Sequence, residues 1–213
     1  MNARARWPAV VAAAGFATSA VGTSLLHLNR NWFVAVWAAV AAGTLAAWVL
    51  SEGWDPLVQL RRRWMAGLIV GVIAGVPLAL AATRGPAAAG GAGAGELLWL
   101  GLVYGAVDAV MLSVVPVLAL YGARPGDDLG HASRIRMAGL ALLASLVIAA
   151  AYHLGFADFR NASLVQPLVT TLILTMAYLL SGSPLAPIVG RVMLNAAVLL
   201  HGVGAAGPLP PHY

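Results

Sequence analysis

Apolar residues along this chain gather into long runs with no charge or one, separated by short polar or glycine-rich breaks. Runs of roughly twenty residues suit a helix crossing about 30 Å of hydrocarbon. The pattern predicts spans from Trp7 to Leu26, Phe33 to Leu50, Trp64 to Thr83, Glu96 to Tyr121, Met137 to Phe156, Leu164 to Leu180 and Pro184 to Val203. Backbone groups in lipid must be satisfied within the segment, so the expected fold is an all-α, polytopic transmembrane helical bundle of about seven spans. The first run also has the basic start and small-residue end of a signal peptide; with Met1 present it is counted as a span. Connections are too short for a soluble domain, so 1–213 reads as one transmembrane domain, with three spans in 1–95 and four helices in 96–213.

Composition strengthens this reading. Of 213 residues 61% are hydrophobic and only 9% charged, where a soluble domain carries about a quarter charged. The lipid bilayer is the expected solvent, and a bacterial inner membrane the expected location. The formal charge of +5 comes from arginine alone, because lysine is absent. Arginines collect on cytoplasmic loops. An inside N-terminus places Arg4, Arg6, Arg61, Arg62, Arg63, Arg124, Arg134 and Arg136 there and leaves Arg30, Arg84 and Arg160 outside, giving an N-in, C-out chain. These charges orient the protein and call for no nucleic-acid partner. The Arg61-Arg62-Arg63 run reads first as a topology signal and secondly as an attraction for anionic headgroups.

Several chemistries are excluded. Without cysteine there is no disulfide, thiolate ligand or thiol nucleophile. Without lysine there is no retinal Schiff base. The serine-elbow and HExxH signatures are missing. The glycine- and alanine-rich stretch Gly85 to Gly95 lacks the lysine of a phosphate loop and reads as a flexible external connection, and Asn161-Ala162-Ser163 matches a glycosylation sequon too short to carry weight.

Polar residues inside the spans are therefore the candidates for function. Asp108 is the one acid within a span, and there a charge is costly unless paired or placed in a polar cavity. Gly101 and Gly105 share its sector of the fourth helix, which turns Asp108 towards packed protein. Gly71 and Gly75 give the third span the same small-xxx-small face. In the last span Arg191 and Asn195 are four residues apart on one face, and an Asp108–Arg191 pair is expected, either fixing two helices or forming a site. His27, His153 and His201 fall near the outer ends of their spans. They fit either interfacial hydrogen bonding to water and headgroups or, as an alternative, a zinc site or a pair of haem ligands. A small transporter is a further alternative, given intramembrane ionisable groups and proline at 116 and 187, although no internal repeat is visible.

From Tyr104 onward the chain resembles the CPBP family of membrane proteins, the CAAX prenyl endopeptidase and bacteriocin-processing group also called Abi. The family carries EExxxR, FxxxH and HxxxN elements on successive helices. The segment 107–113 is similar to the first, with Asp108 at the first glutamate, Ala109 at the second and Ser113 at the arginine. The segment 149–153 is similar to the second, with His153 at its histidine and Ala149 at its aromatic. The segment 181–195 is similar to the third, with Arg191 at the histidine and Asn195 retained. The resemblance implies a water-activating acid and histidine and an oxyanion-stabilising polar set, so Asp108, His153 and Asn195 are the carried-over catalytic candidates, with Arg191 and Ser113 at altered motif positions. The departures favour a noncatalytic binding or scaffold bundle with a polar intramembrane cavity and a membrane-protein or peptide partner. An intramembrane peptide hydrolase using Asp108 and His153 is the alternative, and neither reading requires a cofactor.

Overall fold

The computed structural model describes residues 6–52, 56–61, 63–84, 92–121, 130–157, 159 and 164–202, and statements of absence below refer to these. Arg4, Arg62, Arg124, Arg160, Val203, the 161–163 sequon and most of the Gly85 to Gly95 connection lie outside them.

The described residues form helices and no strand. Helix α1 runs Trp7–Leu25 and α2 Arg30–Glu52, followed by a short α3, Pro56–Arg61. Then come α4, Trp64–Ala82, and α5, Ala94–Leu120. The last three are α6, His131–Gly155, α7, Val165–Ser181, and α8, Leu185–His201. Five of them, α1, α2, α4, α5 and α6, are long and apolar enough to cross a membrane. The 17-residue α7 and α8 span about 26 Å at 1.5 Å per residue, at the lower limit for a crossing helix. The expected bundle is thus observed, with the helix positions close to those read from the apolar runs. The main boundary difference is α6, which begins at His131 rather than Met137 and carries exposed Arg134 and Arg136 in its first turns. Helical hydrogen bonding does not stop where hydrocarbon does, so an apolar run marks the buried part of a helix and not its ends.

Helix α5 is the centre of the bundle: 72% of its apolar window is buried, against 28–33% for the other long helices. Its backbone is not uniformly α-helical. It is a π-helix over Leu97–Tyr104 and again over Val110–Val114, with one α-helical turn, Gly105–Ala109, between them. That turn carries Asp108. Helices α1, α2, α6, α7 and α8 all contact α5 or one of its π segments.

The most extensive helix pairing is α4 with α8. Gly71 faces the backbone of Ala186: a Cβ on Gly71 would stand 2.8 Å from that carbonyl oxygen and 2.9 Å from Val189 Cβ. A Cβ on Gly75 would stand 3.0 Å from Gly190 Cα. Main chain meets main chain here, the contact that small-xxx-small spacing permits. Elsewhere the core is aromatic. Phe33, Trp37, Tyr104, Tyr152 and Phe156 are almost fully buried. Trp37 stacks on Tyr152 at 5.0 Å, and Tyr152 meets Phe156 edge-on at 5.2 Å.

Candidate polar site between α5 and α8

The site begins with the turn that leads into α8. Gly182 ends α7 at φ 64°, a left-handed conformation that glycine adopts without a Cβ penalty. Ser183 N–H donates to Ser181 Oγ at 3.1 Å, and Leu185 N–H to Ser183 Oγ at 3.4 Å, so two hydroxyls satisfy main-chain donors where α8 starts. With Gly190 seated on α4, the next residue is turned by about 100° round the helix. Arg191 and Asn195 thereby face α5 from one side of α8.

Arg191 Nη2 donates to Asp108 Oδ2, forming an ion pair in which Asp108 is 0% and Arg191 3% exposed. Asn195, also fully buried, donates through Nδ2 to the carbonyl of Leu100 at 3.4 Å, inside the first π segment of α5. A Cβ on Gly105 would stand 3.2 Å from that same Nδ2, so the glycine admits the amide. One turn before Asp108, the Tyr104 hydroxyl meets the Tyr152 hydroxyl at 3.0 Å. The Trp37 indole lies beside Asp108 but does not complete a hydrogen bond to it. Farther along α5, Thr175 Oγ1 donates to Ser113 Oγ at 3.1 Å and ties α7 in.

Four buried polar atoms in this region lack a protein partner: Asp108 Oδ1, Arg191 Nε, Asn195 Oδ1 and Trp37 Nε1. Two are acceptors and two are donors, a complement that water or a small polar group would satisfy from within. A buried carboxylate and guanidinium neutralise each other, but their net worth depends on satisfying such remaining atoms.

The structure places Arg191 and Asn195 on one face, as their spacing predicted, and brings Asp108 of α5 onto Arg191. It does not bring His153 into hydrogen-bond contact with Asp108. His153 is 2% exposed, and its Nδ1–H donates to the Ala149 carbonyl at 2.7 Å. Its ring packs edge-on against Tyr152 and Phe159, at 5.1 Å each. The interfacial expectation for this histidine is corrected, because its side of α6 turns inward onto aromatic rings. The alternative reading of His27, His153 and His201 as a trio of metal ligands is not assembled either. His27 lies exposed at φ 46° after α1, and His201 ends α8 half-buried. Among the described residues no three histidine or acidic side chains are placed to hold a metal ion. Sequence reasoning missed Trp37, Tyr104 and Tyr152. Tyr104 was findable, since it lies four residues before Asp108 on the same helix, whereas Trp37 and Tyr152 arrive from α2 and α6 through tertiary packing alone.

Comparison with family models, with curated proteins and with solved structures finds no match. Fold and site define a class: a membrane protein built as an all-helical bundle around one buried ion pair.

Proposed function

We propose that this chain is a noncatalytic binding or scaffold protein, a diverged CPBP-like bundle seated in the inner membrane with its N-terminus inside and its C-terminus outside. The observation that carries this reading is the closure of Asp108 on Arg191 with both side chains buried. A hydrolase of this type needs a carboxylate and a histidine within hydrogen-bond reach of one water. Here one carboxylate oxygen is engaged by a guanidinium, and His153 donates to its own helix. Arg191 stands where the resemblance would place a histidine, so a proton-transfer position has become a fixed countercharge. Ala109 stands at the second acid and Ser113, held by Thr175, at the motif arginine.

The remaining polar atoms give the binding reading its content. A small polar guest enclosed among them, offering both a donor and an acceptor, would engage the unpaired atoms of Asp108, Asn195, Arg191 and Trp37.

The test compares Asp108→Ala, Arg191→Met and the double variant Asp108→Leu with Arg191→Met. Thermal stability in lipid nanodiscs is read beside cleavage of a fluorogenic prenylated peptide. Each single variant is expected to lose stability and the double to recover most of it, with wild-type cleavage no higher than that of Asp108→Ala. A wild-type cleavage activity that Asp108→Ala abolishes at unchanged stability would overturn the proposal.

A further inference from the structure

A groove of about 580 Å³ opens between the start of α4 and the end of α7, and neither Asp108 nor Arg191 lines it. Arg63 and Trp64 stand at one end, while Met65, Val70 and Leu180 supply apolar wall. Trp64, Met65 and Leu180 are 50%, 60% and 74% exposed, which in a bilayer means facing lipid. Arg63 itself adopts φ 55°, ψ 32°, a left-handed backbone that arginine rarely takes. This conformation, immediately before α4, sends the guanidinium across the chain reversal after α7: a Cβ on Gly182 would stand 3.1 Å from Arg63 Nη1. Among the described residues the Arg63 guanidinium has no carboxylate partner. Strain of this kind persists where surrounding structure holds it, and it is a reason to look for a role.

A second groove, of about 550 Å³, lies between the start of α1 and the middle of α2. Arg6, Val10, Val40 and Thr44 line it together with Trp7, which is buried against Trp48. Only the Arg63 groove joins the Arg-Trp start of one span to the last turn of another, at Leu180 and Ser181. Trp64, half-exposed at the start of α4, suits the headgroup boundary, whereas Trp7 is buried.

We propose that the Arg63 groove binds one anionic phospholipid, its phosphate on the guanidinium and an acyl chain along Val70 and Leu180. An arginine beside an apolar wall asks for a ligand with an anionic head and a hydrocarbon tail, and the adjoining leaflet supplies that chemistry. Arginine suits the head because its planar fork meets phosphate oxygens in pairs. Arg61, exposed on α3 nearby, lies outside the groove and contributes only general attraction. The proposal is independent of the Asp108–Arg191 centre.

The full chain, purified in mild detergent, is titrated with phosphatidylglycerol or phosphatidylcholine while its melting midpoint is followed. Phosphatidylglycerol at a hundredfold over its Kd should raise the midpoint by about 5–10 °C. The gain should vanish in Arg63→Gln and persist in Arg61→Gln. Equal gains from both lipids, or equal losses in both variants, would show an acyl-chain or surface-charge effect and overturn the proposal. Should Arg63→Gln not fold, Leu180→Trp fills the tail end of the groove without changing charge. Loss of the phosphatidylglycerol gain there supports the site, and its retention overturns it.

Discussion

The α4–α8 seam and the junction of α2, α5 and α6 solve one packing problem in opposite ways. At the seam, Gly71, Gly75 and Gly190 remove side chains until two backbones touch. At the junction, Trp37, Tyr104, Tyr152 and Phe156 fill the space with rings and join two of them through hydroxyls. Lipid tails are as apolar as any core residue, so neither region gains from hydrophobic exclusion as it would in water. The seam gains close dispersion contact over a long line. The junction gains shape-specific ring packing and a place where polar atoms can be buried. Asp108 and Arg191 stand where the two regions meet, one on the central helix and one on the seam helix.

Breaking that meeting point should have the largest effect. Asp108→Ala leaves Arg191 as an uncompensated buried charge and should cost about 3–5 kcal/mol, measured by denaturation in mixed micelles. Next comes the seam. Gly71→Ala drives a methyl against the Ala186 carbonyl, main chain that cannot swing aside, and should cost about 1–3 kcal/mol by the same assay. Smaller still is Tyr104→Phe at the junction. It removes one interhelical hydroxyl contact while keeping the ring, and should cost about 0.6–1 kcal/mol. The smallest effect sharpens the contrast within the glycine class. Gly101→Ala has no atom nearer than 3.6 Å to its new methyl and should stay within about 0.5 kcal/mol of wild type. If Gly101→Ala proved as damaging as Gly71→Ala, the seam would owe nothing special to backbone contact.

Much of this architecture was legible because periodicity and small-residue spacing are properties of a single helix. Gly71 with Gly75, Gly101 with Gly105, and Arg191 with Asn195 each share a face wherever their helix is placed. From those faces the approach of the fourth and last spans, and the pairing of Asp108 with Arg191, could be anticipated. His153 shows where the approach ends. A position near the end of an apolar run fixes depth along a helix but not direction around the bundle, and the ring turned inward to Tyr152 and Phe159. The π segments on both sides of Asp108 were equally invisible, because they arise when a helix adjusts its winding to partners on several sides, and they occur often at functional sites.

By itself, then, the sequence determined the solvent and the secondary structure, because hydrophobicity and backbone satisfaction in lipid act locally and leave few options. It also determined which charged group had to find a partner, because an isolated mid-membrane carboxylate is too costly to leave alone. Only the tertiary structure decided which polar atoms stayed unpaired, which histidine faced inward and which rings enclosed the ion pair. Those outcomes depend on how the helices rotate against one another, and that rotation is set by packing between residues far apart in the chain.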